Sequence, residues 1–248
     1  MHISLTDKVA LVTGASSGIG AAIARQLRAC GAHVIITGRN RETLDFAAAR
    51  IGEGCLPMVG DVSRRDDMEA IVETIGSRFG RLDVVVANAA VGANAPLGQI
   101  TDEKFETVIG ANLRGVLNTV QSALPLLKEG ASVLLIGSTA SFDAPQTMSV
   151  YGAAKAGLRA FTTTWIKDLA GRGVRVNTLS PGAIDTPSLR KAMEAETDES
   201  RIQALSDRSP LKRIGSPEEV AKVAAFFASD HASYINGVEL YIDGGLKV

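Results

Sequence analysis

Short apolar runs alternate with longer amphipathic segments along this chain. Several of the short runs are apolar at nearly every position, which is typical of strands covered on both faces of a sheet. The predicted strands span residues 8–13, 33–38, 55–60, 83–88, 132–137, 175–180 and 238–243. The predicted helices span residues 18–30, 41–50, 64–79, 102–128, 149–171 and 217–229. This alternation predicts an α/β fold: a doubly wound parallel sheet of about seven strands, with helices on both faces.

One long segment interrupts the pattern. Residues 185–215 are polar, helical in parts and without a strand signal, and they lie between the sixth strand and the last helix. A segment of this length is often a lid or a binding element. We see no linker, repeat or low-complexity stretch. We therefore expect a single domain, residues 1–248, with a substrate lid at about residues 185–210.

Composition narrows the function classes. The 248 residues are 46% hydrophobic, and the net charge of −1 offers no basic surface for nucleic acid. We see no signal-peptide pattern and no apolar run long enough to span a membrane, so we predict a cytoplasmic protein. Cys30 and Cys55 are expected to be reduced structural residues. His2, His33 and His231 are scattered along the sequence, so we predict no metal site.

A glycine-rich stretch, TGASSGIG at residues 13–20, follows the first strand and opens the first helix. Gly14, Gly18 and Gly20 permit a tight turn and let backbone N–H groups approach a pyrophosphate at the helix N-terminus. Ser16 and Ser17 can add hydroxyl donors. Such turns also occur as plain structure, but the first turn of an alternating α/β chain is where Rossmann-type folds bind dinucleotides.

The end of the second strand bears on the choice between NAD and NADP. NAD-selective folds commonly carry Asp or Glu about 20 residues beyond the glycines, where it binds the ribose 2′-OH. This chain has Gly38 and Arg39 there. The missing carboxylate removes repulsion of a 2′-phosphate, and a guanidinium can bind that phosphate through two N–H groups. We predict NADPH as the cofactor; the alternative is a solvated arginine at a strand end.

Tyr151 and Lys155, in the stretch YGAAK, are four residues apart on a predicted helix. Their side chains therefore lie on one face, one turn apart. On spacing alone an ordinary surface pair is favoured, because such pairs are common on helices. The alternative is a phenol and an ammonium held together for chemistry, and the rest of the chain must decide between them.

Together these motifs resemble the short-chain dehydrogenase/reductase family, in its single-domain form and over essentially the whole chain. The resemblance is carried by TGASSGIG (13–20), Asp61, NAA (88–90), Asn112, Ser138, YGAAK (151–155), PGAIDT (181–186) and YIDGG (241–245). Within the family the chain is most similar to NADP-dependent alcohol dehydrogenases that reduce ketones.

The resemblance implies a catalytic set of Asn112, Ser138, Tyr151 and Lys155. Tyr151 would be the general acid in ketone reduction and the base in the reverse direction, and Ser138 would hold the substrate oxygen. Lys155 would bind the nicotinamide ribose, and Asn112 would anchor a water relay. A lysine cation about 4 Å from the phenol, at an effective dielectric near 20, contributes roughly 4 kcal/mol, so we expect Lys155 to lower the pKa of Tyr151, by about three units before the cost of desolvation is counted.

The resemblance also implies cofactor contacts. Asp61 would accept a hydrogen bond from the adenine amino group, with Val62 beside the ring. Asn88 would stabilise the central strands, and Ile184 and Thr186 would contact the carboxamide and the pyrophosphate. The expected cofactor-binding set is completed by Ile19, Ala89, Pro181 and Gly182.

One position departs from the family pattern. The family often has Asn-Ala-Gly where this chain has Asn88-Ala89-Ala90. Alanine can replace the glycine where φ is negative. We therefore expect cofactor binding to survive with a slightly altered backbone.

Three functions remain open. The first is an NADPH-dependent reductase of ketones or aldehydes with an apolar small-molecule substrate. The second is a 3-oxoacyl reductase acting on carrier-bound chains, for which Arg159, Arg172 and Arg175 are the candidates for a basic docking surface. The third is a non-catalytic NADP-binding regulatory protein, which the complete catalytic set disfavours. Enoyl reductases are disfavoured because they space their Tyr and Lys more widely.

The substrate pocket is expected between the loops at 91–98, 139–148 and 185–210. Apolar residues in these loops predict an apolar site; they are Phe142, Met148, Leu189 and Met193.

The resemblance further implies a homotetramer. The predicted helices at 102–128 and 149–171 carry apolar residues beyond the need of one sheet face: Val116, Val120, Leu124, Leu158, Phe161 and Trp165. The C-terminal segment YINGVELYIDGGLKV would make a second, isologous contact. No nucleic-acid or membrane partner is expected.

Overall fold

A computed structural model describes residues 3–193 and 199–247. They form one seven-stranded sheet in the order β3-β2-β1-β4-β5-β6-β7, and every neighbouring pair of strands is parallel. The strands are β1 (Val9–Thr13), β2 (His33–Gly38), β3 (Cys55–Val59), β4 (Leu82–Ala87), β5 (Leu127–Ile136), β6 (Arg175–Pro181) and β7 (Glu239–Ile242). The doubly wound parallel sheet predicted from the sequence is confirmed, with strand boundaries displaced mostly by a residue or two.

The helices cover both faces of the sheet. They are α1 (Gly18–Ala29), α2 (Arg41–Ile51), α3 (Arg65–Phe79), α4 (Asp102–Ile109), α5 (Gly115–Ala123), α6 (Ser149–Asp168), α7 (Pro187–Ala192), α8 (Ser200–Arg208) and α9 (Pro217–Ala228). One apolar core joins α1, α2 and α9 to one face of the sheet, and a second joins α3, α5 and α6 to the other. Alternate residues of each central strand enter opposite cores, which explains why those strands are apolar throughout.

The predicted helix at 102–128 is wrong in two respects. It is divided by a π-helical turn at Gly110–Arg114, and it ends at Ala123. The side chain of Asn112 bonds back to α4 and to the loop that follows β4, and such single-turn bulges often occur at functional sites. Pro125 has no N–H to donate to the preceding turn, which accounts for the early end, although Leu124 before it keeps helical φ and ψ. The predicted helix at 149–171 likewise ends earlier, at Asp168.

The prediction that the helices at 102–128 and 149–171 carry more apolar residues than the sheet face needs is wrong for most of the residues named. The side chains of Val116, Val120 and Leu158 are at most 3% exposed and belong to the core beneath α5 and α6. Phe161 and Trp165 stack with ring centroids 4.5 Å apart and are partly buried against the same core. Most of this apolar surface is therefore used inside the subunit, and the homotetramer stays a prediction.

The segment between β6 and α9 begins and ends with paired backbone. Ile184 forms a parallel bridge with Gly215, and between them lie α7, α8 and residues 194–198, which fall outside the described residues. The Asp185 carboxylate accepts bonds of 2.6 and 2.8 Å from Arg190, which lowers the pKa of Asp185. In the described part of the predicted lid, α7 and α8 thus lie between two residues, Ile184 and Gly215, that are paired through their backbones.

Two carboxylates stabilise the scaffold away from these loops. Asp83 in β4 is 4% exposed and accepts hydrogen bonds from the Val9 N–H at 2.9 Å and from the Arg81 guanidinium at 2.5 and 3.0 Å. Glu219 completes a capping box with Ser216 at the start of α9 and pairs with Arg213 at 2.6 Å. These bonds lower the pKa of Glu219 to about 2.

Candidate active site

The glycine-rich turn between β1 and α1 has the backbone that its sequence predicts. Gly14 and Gly18 have φ of +62° and +55°, in the region that favours glycine. A Cβ on Gly14 would lie 2.6 Å from the Cα of Ala89, so β4 can approach the turn only because Gly14 has no side chain. Gly20 is equally confined, because a Cβ there would overlap the Asn88 side chain.

Asn88 and Ala89 fasten the end of β4 to this turn. The Asn88 amide nitrogen donates to the carbonyls of Thr13 at 2.8 Å and Gly14 at 3.0 Å, and the backbone N–H groups of Asn88 and Ala89 donate to the Thr13 hydroxyl. Among the described non-glycine residues only Asp7, Thr147 and Lys212 have positive φ, so the backbone of Ala90 suits alanine.

The N-terminus of α1 is arranged to receive an anion. Ser17 is the N-cap residue, but its hydroxyl makes no capping bond to the first helical N–H groups. Ser16, Gly18 and Ile19 are partly exposed beside it, and Thr186 lies 3.3 Å from the position of a Cβ on Gly18. Uncapped N–H groups at a glycine-lined helix start fit the pyrophosphate of a dinucleotide.

The other expected cofactor residues lie around the carboxyl ends of β2, β3 and β6. Arg39 is exposed and makes no hydrogen bond or ion pair with any described residue, whereas Arg41 pairs with Asp45 at 3.4 Å. Asp61 accepts bonds from the N–H and hydroxyl of Ser63 at 2.9 and 2.7 Å. Arg39 and Asp61 line one open cleft.

The remaining residues of the expected cofactor-binding set are held by packing and by hydrogen bonds to neighbouring elements. Val62 is buried beneath α5, and its carbonyl accepts from Asn118 at 2.9 Å. Pro181 ends β6, and a Cβ on Gly182 would lie 2.8 Å from the Cβ of Asp243. The Ile184 side chain is 5% exposed and packs in the core, so only its backbone is free to meet a ligand.

Lys155 is held on the buried face of α6. Its side chain is 2% exposed, and its Nζ atom donates to the Ile136 carbonyl at 2.7 Å, at the end of β5. The same nitrogen lies 5.8 Å from the centroid of the Tyr151 ring. Burial lowers the pKa of Lys155 to about 8, so the amine is still mostly charged at pH 7.

Tyr151 is partly buried, and its phenol lies near the side chain of Ser138, the residue that follows the β5 strand by two positions. Burial raises the pKa of Tyr151, and the interaction with the Ser138 side chain lowers it by less. The expectation that Lys155 lowers this pKa is not met. The physical reason is that Lys155 is itself desolvated and directs its Nζ atom to the Ile136 carbonyl.

Asn112 lies in the π-helical turn that packs against α6. It is fully buried, and its amide nitrogen donates to the carbonyls of Val91 at 2.8 Å and Val108 at 2.9 Å. Its oxygen accepts from the Val91 N–H at 3.2 Å. The amide thereby joins the loop after β4 to the helix beside Tyr151 and Lys155.

Two glycines that the sequence analysis did not single out bring the catalytic candidates together. A Cβ on Gly152 would lie 2.6 Å from the Cβ of Ala144, so the loop after Ser138 can rest on α6 only at a glycine. A Cβ on Gly137 would overlap the Ser180 hydroxyl. In the sequence, the only indication of these close contacts is that small residues stand inside YGAAK and directly before Ser138.

Other chemistry finds little support among the described residues. Over residues 3–193 and 199–247, no group of His, Cys, Asp or Glu has the arrangement of a metal site. Cys30 and Cys55 are free thiols, and burial raises the pKa of Cys55 to about 11, which makes it a poor nucleophile. No helix in the same part of the chain is long and apolar enough to cross a membrane.

These features are typical of a dinucleotide-binding α/β protein, with a buried lysine and a partly buried tyrosine near the carboxyl ends of its central strands. Comparison with known proteins gives the family. A family model described as Enoyl-(Acyl carrier protein) reductase matches residues 14–247. Oxidoreductase asL5 of Sarocladium schorii is 40% identical over 244 residues, covering 98% of this chain and 96% of that protein.

Two further matches span the whole chain. The 3-oxoacyl-[acyl-carrier-protein] reductase FabG of Thermotoga maritima is 40% identical over 250 residues, covering 98% of this chain and 99% of that protein. A short-chain glucose/ribitol dehydrogenase from Brucella melitensis superposes with a TM-score of 0.94 at 34% identity, over 100% of both chains. The chain belongs to the short-chain dehydrogenase/reductase family, and it is an oxidoreductase of the kind that uses a nicotinamide cofactor.

Proposed function

We propose that this protein is an NADPH-dependent reductase that converts a ketone or aldehyde to an alcohol. The observation that carries the proposal is the placing of a buried lysine beside a phenol: the Lys155 ammonium lies 5.8 Å from the centroid of the Tyr151 ring, and the Ser138 side chain is near enough to that phenol to lower its pKa. Asn112, on the turn packed against the same helix, completes the proposed catalytic set.

The residues divide the chemistry as follows. A bound nicotinamide supplies the hydride that forms the new C–H bond at the carbonyl carbon. Ser138 donates a hydrogen bond to the carbonyl oxygen, and Tyr151 gives that oxygen its proton. Because burial raises the pKa of Tyr151, the phenol is in the protonated form that reduction needs at neutral pH. Lys155, whose Nζ atom is held at the end of β5, would bind the nicotinamide ribose.

The proposed preference for NADPH rests on the end of β2. Arg39 is an exposed cation without a partner among the described residues, so it can bind a 2′-phosphate without first breaking an ion pair. A Cβ on Gly38 would lie 3.7 Å from the Ser16 side chain, so residue 38 borders the glycine-rich turn. In the proposed binding mode this is the side of the turn that receives the adenosine half of the cofactor.

The proposed substrate is apolar and small. Two of the expected pocket loops are joined by a hydrogen bond of 2.9 Å from the Ala95 N–H to the Thr147 carbonyl, and a small cavity beneath them is lined mostly by apolar side chains. Phe142, in the second loop, is 70% exposed and available to a ligand. Of the predicted lid at 185–210, residues 194–198 lie outside the described residues.

Reduction of carrier-bound 3-oxoacyl chains is the second candidate, and the relative from Thermotoga maritima favours it. Of the three arginines considered for docking a carrier, Arg175 is unsuitable because it is 7% exposed and donates to the Phe227 carbonyl at 2.9 Å. Arg172 is exposed but also donates to a backbone carbonyl, at Leu124. Arg159 is exposed and remains a candidate.

The test is the oxidation of NADPH with a panel of small ketones, aldehydes and 3-oxoacyl thioesters, the last both free and attached to a carrier protein. Tyr151→Phe should reduce turnover at least a hundredfold and leave NADPH binding within about twofold, because the ring still packs but the proton donor is gone. Retention of a tenth of wild-type turnover would show that Tyr151 is not the acid. Faster turnover of the carrier-bound thioester than of its free form would select the second candidate.

A further inference from the structure

A carboxylate outside the expected catalytic set is bonded to the turn that carries Ser138. Glu239 begins the edge strand β7, opposite Thr178 of β6. Its Oε1 atom accepts hydrogen bonds from the Ser180 hydroxyl at 2.7 Å and from the Ser141 hydroxyl at 3.1 Å. One oxygen thus joins β6, β7 and the loop that follows β5.

The bond to Ser141 acts on Ser138 through one short turn. Ser138 has extended backbone, and residues 139–141 form a single 3₁₀ turn in which the Ser141 N–H donates to the Ser138 carbonyl at 3.0 Å. The Ala140 N–H donates to the Ser138 hydroxyl oxygen at 3.1 Å. The same short turn thus holds both Ser141 and the Ser138 hydroxyl, so a shift of Ser141 is expected to alter the orientation of that hydroxyl.

The neighbouring contacts support the same role. Ser180 is fully buried, and its hydroxyl lies where a Cβ on Gly137 would stand, directly before Ser138. On the other side of the turn, the Nζ atom of Lys247 lies 4.8 Å from the ring centroid of Phe142 and 3.6 Å from that of Tyr241. The edge strand and the residues after it thus contact the loop next to Ser138 at two points.

We propose that Glu239 is a positioning residue for Ser138, acting through the hydroxyl of Ser141. This inference rests on the proposed function, in which Ser138 binds the substrate oxygen. Displacements of about 1 Å at a reacting group can change turnover a hundredfold, so the orientation of one hydroxyl is enough to matter.

The experiment compares four single variants by kcat, by KM for the carbonyl substrate and NADPH, and by Tm. Glu239→Ala and Ser141→Ala should each lower kcat about tenfold to a hundredfold and leave the KM for NADPH within about twofold. Glu239→Gln keeps an acceptor oxygen and should restore kcat to within about threefold of wild type. Ser132→Ala is the matched control; it removes a buried β5 hydroxyl that donates to the Phe227 carbonyl at 2.9 Å, leaves the Glu239–Ser141 bond intact, and should keep kcat within about threefold of wild type.

A double variant separates positioning from general stability. If Glu239 acts through Ser141, Glu239→Ala with Ser141→Ala should be no slower than the worse single variant, because both remove the same bond. The inference is overturned if Ser141→Ala has wild-type kcat, if Gln at position 239 is no better than Ala, or if the two losses multiply. Ser141→Ala removes only one hydroxyl, so it carries the test even if Glu239→Ala does not fold.

One further variant distinguishes failure of this inference from failure of the proposed function. Ser138→Ala should lose most of its turnover if Ser138 binds the substrate oxygen. Full activity of Ser138→Ala would overturn both proposals. An inactive Ser138→Ala beside a fully active Ser141→Ala would overturn only the positioning role of Glu239.

Discussion

Replacing Lys155 by methionine should separate stability from activity, because burying this charged side chain costs folding free energy. Burial lowers its pKa from 10.5 to about 8. At 1.36 kcal/mol per pKa unit, keeping the charged amine in the folded protein at pH 7 costs about 3 kcal/mol. Methionine removes that cost, but it leaves the Ile136 carbonyl without its donor, a loss of about 1–3 kcal/mol. At pH 7 the variant should therefore be at least as stable as wild type.

The dependence on pH gives the sharper test. Between pH 8 and 10.5 the unfolded chain holds a proton at Lys155 that the folded chain has released, so wild-type stability rises with pH in this window. From pH 7 to 9.5 the stability of wild type relative to Lys155→Met should increase by about 2 kcal/mol. The lost hydrogen bond does not change this difference much, because a neutral amine still donates to Ile136.

The assay is urea unfolding at fixed protein concentration, without added nucleotide, at pH 7, 8 and 9.5. The single tryptophan, Trp165, is partly buried against Phe161 and reports unfolding by its fluorescence. Lys167→Met is the control, since Lys167 is an exposed lysine on the same helix. Lys155→Met should also lose turnover and NADPH affinity. A stability difference that stays within about 0.5 kcal/mol across this range would refute the desolvation of Lys155.

Three further predictions concern the cofactor and the scaffold. Arg39→Ala should lower kcat/KM for NADPH about 10- to 150-fold and leave kcat/KM for NADH nearly unchanged. Gly38→Asp should invert the cofactor preference, because the new carboxylate repels the 2′-phosphate of NADPH. Equal losses with both cofactors in Arg39→Ala would contradict the role of Arg39. Glu219 has a folded pKa of about 2, so its contribution is present above about pH 4.5 and is lost as the pH falls towards 2. Because Glu219 and Arg213 are well exposed, that contribution is about 1 kcal/mol. In Glu219→Gln, which keeps the capping box, the unfolding free energy should therefore fall by about 1 kcal/mol less than in wild type between pH 4.5 and pH 2. Asp83→Asn should lower the unfolding free energy by about 1.5–3 kcal/mol with kcat unchanged at 25 °C, since one acceptor oxygen of a buried carboxylate is lost; wild-type stability in urea would show that its bonds are dispensable.

The sequence by itself determined the order of the elements and the position of the glycine-rich turn. Both depend on local physics: apolar runs of strand length, helical periodicity and glycines at positions of positive φ. It also placed Tyr151 and Lys155 one turn apart on one helix, and the resemblance to a known family implied that they would lie near Ser138. The small residues around Tyr151 can be read from the sequence, but the sequence does not show that Gly152 is in close contact with the loop after Ser138.

Only the tertiary structure decided features that depend on contacts between distant segments. The π-helical turn at Asn112 bonds to Val91, 21 positions earlier, and no local period signals it. The pKa of Tyr151 depends on how deeply α6 packs and on where the Lys155 amine is directed, so spacing along a helix predicted the wrong sign. The bond from Ser141 to Glu239 crosses 98 positions of sequence, and the strand order of the sheet brings the two residues together.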